Sequence, residues 1–106
     1  MKQSKHDQQL SLLINNAIKH NLKEIKAISL DNRFYGTTNL ICEPDMLVFA
    51  SNELYVIEYK CRDTPHNRRR AKQQLETAKD YILNEMGIYV PIHKLYCYEG
   101  SRLEEV

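Results

Sequence analysis

The stretch that most constrains the fold of this chain is residues 44–60, PDMLVFASNELYVIEYK. Two apolar runs rich in β-forming residues, 46–50 and 54–59, flank the polar pair Ser51-Asn52. Apolar runs of strand length around a short polar turn predict a β-hairpin. The rest of the chain must then supply the partners that cover both faces of this hairpin.

The register of the hairpin follows from its turn. With residues 51 and 52 as the turn, Leu47 faces Val56 and Asp45 faces Glu58. Directly opposed residues share one face of a sheet, and residues two apart along a strand do so as well. Asp45, Glu58 and Lys60 are therefore expected on one face, at the open end of an apolar hairpin.

Two carboxylates opposed across a strand pair repel each other, so a cation between them would stabilise the arrangement. Carboxylates with water in the remaining positions suit Mg²⁺, with Mn²⁺ as a substitute. Such a metal would activate a water molecule and stabilise charge on a phosphate, while Lys60 would orient the water. The alternative is that Asp45 begins the strand and that Glu58 and Lys60 are solvated strand ends.

The pattern of Pro44-Asp45, twelve residues, then Glu58-Tyr59-Lys60 resembles the PD-(D/E)xK nuclease superfamily. This superfamily includes restriction endonucleases, RecB-type nucleases and archaeal Holliday-junction resolvases. The resemblance implies an αβββαβ core and a Mg²⁺-dependent endonuclease acting on DNA, on branched or repair and recombination substrates. It also implies a homodimer, metal ligation by Asp45 and Glu58, and a catalytic role for Lys60.

Two helices are expected on either side of the hairpin. The first begins with Asp7 as N-cap, and the second has Asn67 as N-cap and Gly87 as C′ residue. Both show apolar residues at helical spacing: Leu10, Leu13, Ile14, Ala17, Ile18 and Leu22 in the first, and Ala71, Leu75, Ala78, Ile82 and Met86 in the second.

Two further strands are predicted, at 24–30 and 94–99, whereas 31–43 fits no single element. The order helix, strand, hairpin, helix, strand indicates an α/β domain over 1–106, with a mixed four-stranded sheet flanked by helices. Residues 1–6 and 101–106 are expected to be frayed ends.

The start of the second helix is unusually basic. Cations there are disfavoured by the helix dipole, which favours a functional role over an ordinary solvated helix face. Next to a metal site, they are what binding of a DNA backbone requires. The residues predicted to contact nucleic acid are Arg62, Arg68, Arg69, Arg70 and Lys72.

A glutamine and an extra acid complete the list of candidate site residues. RecB-like nucleases carry a glutamine on the helix after the E-x-K strand, and Gln74 is the counterpart here because it lies beside the apolar stripe. It is assigned a supporting catalytic role, with an ordinary surface glutamine as the alternative. The resemblance also leaves Asp7, Glu24 and Glu43 open as additional acidic ligands.

The amino-acid composition restricts the possible functions but does not indicate one. The 106 residues carry 15 Lys and Arg against 14 Asp and Glu, so any surface for DNA must be local. Cys42, Cys61 and Cys97 lack metal-ligand spacing and are expected as free thiols in a cytoplasmic protein. No apolar run is long enough for a membrane span.

Two functions are alternatives to a nuclease. The first is a non-catalytic nucleic-acid-binding module, and the second is an assembly protein with an acidic partner.

Overall fold

The computed structural model describes residues 5–14, 18, 22, 24–99 and 102–106. Two α-helices and seven strands lie in these ranges. In chain order they are α1 (Lys5–Leu13), β1 (Ile25–Leu30), β2 (Phe34–Tyr35), β3 (Leu40–Cys42), β4 (Met46–Ala50), β5 (Leu54–Lys60), α2 (Pro65–Asn84), β6 (Ile92–Tyr98) and β7 (Arg102–Glu105).

The main sheet is mixed and has the strand order β1-β4-β5-β6-β7. Only the β5–β6 pair is parallel, and α2 forms the crossover between those two strands. The predicted α/β class with a mixed sheet is confirmed. The sheet has five strands rather than the four expected, since Arg102–Glu105 pairs with β6 where the sequence predicted a frayed tail.

The fifth strand was missed because Arg102-Leu103-Glu104-Glu105 has no apolar alternation of its own. Its side chains find partners from distant parts of the chain. Leu103 packs against the core, Glu104 pairs with Arg68, and Glu105 contacts His93. Tertiary contacts therefore form a strand from a segment with little intrinsic preference for one.

The sheet is covered on both faces. On one face, Leu10, Leu13 and Ile18 belong to a buried cluster with Ile57 and Tyr59 of β5. On the other face, the buried residues of α2 pack on the alternate residues of the same strand. This second cluster contains Leu47, Leu54, Val56, Ala71, Leu75, Ala78, Ile82 and Tyr96, together with Phe34. By alternation, Glu58 and Lys60 lie on the α2 face.

The hairpin register is confirmed. Leu47 pairs with Val56, Met46 pairs with Ile57, and the turn is closed by a 2.9 Å hydrogen bond from Ala50 N to the carbonyl of Glu53. The same register, continued by one residue, opposes Asp45 and Glu58 at the open end.

The second helix begins earlier than predicted. Thr64, not Asn67, is the N-cap: its backbone is extended and its Oγ1 accepts a 3.1 Å hydrogen bond from Asn67 N. Pro65 occupies the first helical position, where its missing N–H costs nothing. Asn67 instead donates from its side chain to the carbonyl of Arg62.

The helix also ends earlier. The last α-helical residue is Asn84 and the C-cap is Glu85, so Gly87 is not the C′ residue. Gly87 does have a positive φ of 65°, the conformation that favours glycine after a helix. Met86, predicted on the apolar stripe, lies beyond the helix and is exposed.

The first helix and strand partly match the prediction. Asp7 is not an N-cap, because it lies within α1, which begins at Lys5. The α-helical residues end at Leu13, Ile14 and Ile18 are π-helical, and most of the remaining predicted helix up to Leu22 lies outside the described residues. Ala17 of the predicted stripe lies outside the described residues. The strand predicted over 24–30 is found as β1, from Ile25 to Leu30.

Residues 31–43, which had no assignment from sequence, contain the two-stranded sheet of β2 and β3. Phe34 stacks on Tyr81 of α2 with ring centroids 4.7 Å apart, and the Tyr81 hydroxyl donates to the carbonyl of Tyr35. The small sheet is thus attached to α2, and the chain passes directly from it to Asp45.

Candidate active site

The open end of the β4–β5 hairpin joins Asp45 and Glu58 by reciprocal hydrogen bonds. The backbone N–H of Asp45 donates to Oε1 of Glu58 at 3.1 Å. In return, Oδ2 of Asp45 accepts from the backbone N–H of Tyr59 at 2.8 Å. Each strand therefore fixes the carboxylate carried by the other, and the two acids predicted from the sequence lie together.

Glu58 is the buried charged residue of this site, with 3% of its surface exposed. Burial, followed by the negative charge of Asp45, raises the pKa of Glu58 to about 8. A side-chain hydrogen bond to Asp45 acts in the same direction. Burial and the neighbouring carboxylate therefore both favour the protonated form of Glu58.

Lys60 lies beside Glu58, as predicted. Its Nζ is 3.8 Å from Oε2 of Glu58, and its side chain is about one-fifth exposed. The ammonium charge lowers the pKa of Glu58 but does not outweigh burial and Asp45. Lys60 thus lies between the buried acid and the solvent-exposed surface.

The donor set of this site fits a hard divalent cation. Two carboxylates supply oxygen ligands, and their mutual repulsion, which raises the pKa of Glu58, is what a cation between them would relieve. No group of three or more His, Cys, Asp or Glu side chains in metal-binding arrangement occurs in the described part of the chain. Two carboxylates are sufficient for Mg²⁺, since this ion retains water molecules in its other coordination positions.

Of the three further acids named from the sequence, Glu43 and Glu24 do not join the pair. Glu43 is exposed and lies 3.7 Å from Arg33, with which it forms an ion pair. Glu24 is exposed and precedes β1 with a positive φ. Asp7 lies in α1, but its side chain is outside what the structure describes.

A cavity of about 440 Å³ opens onto Asp45. Its walls come from α1, the turn after β1 and the segment before β4. Charged and amide groups dominate this lining, which contains Leu10, Asp31, Asn32, Arg33, Glu43, Pro44 and Asp45. A polar cavity with more acids than bases is suited to admit a hydrated cation to Asp45.

Gln74 lies on the α2 side of the same segment. It lines a second cavity, of about 190 Å³, together with Cys42 and Glu43. Burial, followed by the negative charge of Glu58, raises the pKa of the Cys42 thiol. Gln74 thus lines a cavity with the segment that leads into Asp45, and its supporting role in catalysis stays a prediction.

Arg68, one of the five basic residues predicted to bind nucleic acid, is held by the protein itself. Its guanidinium contacts Asp63 and Glu104 at 2.8 Å each and lies over the rings of Tyr96 and Tyr98 at 4.9 and 5.6 Å. These two carboxylates raise the pKa of Arg68 further above its ordinary value. We therefore leave Arg68 out of the proposed DNA interface.

The other four basic residues, Arg62, Arg69, Arg70 and Lys72, are exposed. They follow the strand that carries Glu58 and Lys60, in the loop after it and the first turns of α2. Exposed guanidinium and ammonium groups at this end of the sheet are available to a phosphate backbone.

The network around Arg68 was missed by sequence reasoning. In β5 and β6, Glu58 pairs with Tyr96 and Lys60 pairs with Tyr98, so the two tyrosines continue the row of site residues across the sheet. The Tyr96 hydroxyl donates to Asp63 at 2.9 Å. The spacing of Tyr96 and Tyr98 indicates that both lie on one face of the strand. Nothing in the nearby sequence indicates that they contact Arg68, which is 28 residues before Tyr96.

The three cysteines are free thiols, as predicted, with Cys97 buried and Cys42 and Cys61 half-buried.

No protein-family model matches this chain, and no curated protein sequence matches it either. In the described residues, no helix has the length and apolarity needed to cross a membrane.

Proposed function

We propose that this protein is a metal-dependent deoxyribonuclease that hydrolyses phosphodiester bonds. The observation that carries the proposal is the buried Glu58 carboxyl hydrogen-bonded to Asp45, with Lys60 at 3.8 Å. A buried acid with a strongly raised pKa next to a second acid and a lysine is typical of catalytic sites. A structural role alone would be served better by an apolar residue in this strand.

The arrangement of elements supports a restriction endonuclease-like core within the mixed sheet. If β2 and β3 are insertions and β7 is an addition, as we propose, the remaining elements α1, β1, β4, β5, α2 and β6 make up the order αβββαβ. In this proposal, Pro44-Asp45 and Glu58-Tyr59-Lys60 are the PD-(D/E)xK residues.

Asp45 and Glu58 would hold Mg²⁺, or Mn²⁺ in its place. When bound, the ion supplies positive charge to the phosphate oxygens and acidifies the attacking water. Glu58, whose pKa is raised by burial and by Asp45, would bind the cation as the carboxylate. Lys60, connected to Glu58 and partly exposed, orients the water for in-line attack and neutralises developing negative charge.

The DNA backbone would be bound by Arg62, Arg69, Arg70 and Lys72, which are exposed beside the site. Such contacts are largely independent of sequence and weaken with salt. A chain with a net charge of +1 needs this local group of cations, because its overall charge supplies little attraction. A homodimer, two sites for a branched substrate and a cytoplasmic location remain predictions.

The test is cleavage of supercoiled, branched and single-stranded DNA with Mg²⁺ or Mn²⁺. We expect Asp45→Asn and Lys60→Ala each to lower the cleavage rate at least about a hundredfold. Asp80→Asn and Lys26→Ala, at exposed positions of α2 and β1, are matched controls that should cleave like the wild type. Cleavage that survives both site variants would contradict the proposal.

Non-catalytic binding of nucleic acid is the second candidate function, because the described site has two carboxylates and no third ligand. It predicts salt-dependent DNA binding that is the same with and without divalent metal, and unchanged by Glu58→Gln. Binding that requires metal, or that changes in Glu58→Gln, would exclude this second candidate.

A further inference from the structure

The cavity between β3 and α2 has no role in the metal chemistry described above. It measures about 190 Å³ and is lined by Ile41, Cys42, Glu43, Gln73, Gln74 and Thr77. Glu43 and Pro44 line this cavity as well as the one that opens onto Asp45, so the two cavities share a wall. A group bound there would lie next to a phosphate bound at Asp45 and Glu58.

Gln74 provides the specific feature of this cavity. Its Oε1 is buried and has no hydrogen-bond donor among the residues that the structure describes. A buried acceptor without a donor is unfavourable, and such groups are rare in folded proteins. A ligand that donates a hydrogen bond to Gln74 would remove this cost.

The size and lining of the cavity restrict the ligand further. Sites for drug-sized ligands occupy about 300–1,000 Å³, so this smaller cavity suits one flat ring system. Ile41 and Cys42 provide an apolar wall, and the charged lining residue, Glu43, repels phosphate. The cavity is therefore suited to a base and not to the backbone of a nucleic acid.

We propose that this cavity binds one unpaired nucleobase of the substrate strand, adenine in preference, next to the phosphate that is cleaved. The N6 amino group of adenine would donate to Gln74 Oε1, and the same amide can donate to N7. The proposal rests on the proposed nuclease function and adds its substrate class. Because a stacked base cannot enter a side cavity, the substrate is single-stranded or distorted DNA.

The test uses single-stranded oligonucleotides of thymine with one adenine at a fixed position, cleaved with Mg²⁺. Wild-type protein should cleave next to the adenine about tenfold faster than elsewhere in the strand. Replacing the adenine by purine, which lacks the N6 amino group, should abolish this preference. Gln74→Met should abolish it too, whereas Gln8→Met, an exposed glutamine on α1, should retain it.

A second variant fills the cavity from its exposed rim. Thr77→Tyr should lower the ratio of cleavage at adenine to cleavage at thymine, with circular dichroism reporting that each variant is folded. Equal cleavage at adenine and thymine by the wild type, or an unchanged ratio in folded Gln74→Met, would overturn the base site and leave the nuclease proposal intact. Failure of the wild type to cleave any DNA would overturn both.

Discussion

Asp45 and Glu58 hold each other in place across the β4–β5 hairpin. The backbone of Asp45 donates to the Glu58 carboxyl at 3.1 Å, and the Asp45 carboxylate accepts from the residue after Glu58 at 2.8 Å. This geometry keeps the buried Glu58 close to the half-buried Asp45. A protein without a function for such a pair would gain stability by losing it.

The first prediction concerns the free energy that burial of this pair of acids costs the folded protein. In the absence of divalent metal at neutral pH, Glu58→Gln should raise the free energy of unfolding by about 1–3 kcal/mol, because burial and Asp45 disfavour the Glu58 charge, and the neutral amide avoids that cost while it retains an acceptor for Asp45 N. Urea denaturation measures the change. Glu99→Gln, at an exposed position, should have no such effect. A destabilised Glu58→Gln variant would show that the carboxyl is stabilising and weaken the case for a functional site.

The second prediction concerns metal binding without DNA. At about 100 times its Kd, Mg²⁺ should stabilise the folded protein by ~2.7 kcal/mol, and so raise the Tm by on the order of 10 °C. Asp45→Asn should abolish this rise, since it removes one of two charged ligands. Asp80→Asn is the control for general effects of Mg²⁺ on surface carboxylates. An equal rise in all three proteins would argue against a metal site at Asp45.

The third prediction concerns Arg68, which connects the start of α2 to β7. Arg68→Ala should lower the Tm by several degrees, because Asp63 and Glu104 lose their shared cation and Tyr96 and Tyr98 lose the group stacked on them. Arg68→Lys should restore only part of this stability, since an ammonium group cannot bond both carboxylates with a planar fork.

A double-mutant cycle with Glu104→Gln isolates the Arg68–Glu104 contribution. Arg70→Ala, at an exposed position two residues along the helix, is the matched control for the loss of a cation from α2. If Arg68→Ala is no more destabilising than Arg70→Ala, the network is not structural, and Arg68 returns to the set of candidate DNA contacts.

The fourth prediction concerns His93, which lies between two glutamates. Nδ1 is 2.8 Å from Glu105 and Nε2 is 3.4 Å from Glu53, while the ring stacks on Tyr55. The hydrogen bond to Glu105 is the largest of the effects that raise the pKa of His93 above 6.5. A raised pKa stabilises the folded state below the unfolded pKa, and this contribution is lost as the pH rises through the folded pKa.

Wild-type stability should therefore fall as the pH rises above about 6.5, and His93→Gln should show less of this fall. Thermal denaturation between pH 6 and pH 9 measures both slopes. Glu105→Gln should reduce the slope as well, whereas Glu99→Gln should not. Parallel curves for the wild type and His93→Gln would show that the contacts of His93 do not depend on its charge.

How much of the fold was predictable depends on whether a feature is local. The hairpin over 46–60, the buried stripe of α2 and the strands β1 and β6 follow from patterns within short segments, and all are present. The error at the N-cap was avoidable, because Thr64-Pro65 is a local signature of a helix start. The two-stranded sheet of β2 and β3 contacts Tyr81, 46 residues after Tyr35, and was not predictable from local sequence.

The sequence alone determined that Asp45, Glu58 and Lys60 share one face of the sheet, because the period of a strand is two and the turn sets the register. Tertiary structure decided how deeply Glu58 is buried, and hence its pKa, since the covering helix comes from a separate segment. It also decided that Arg68 is paired with Glu104, 36 residues away, and that Gln74 lines a cavity beside the carboxylates. Local patterns set the direction of a side chain, whereas its surroundings come from residues distant in sequence.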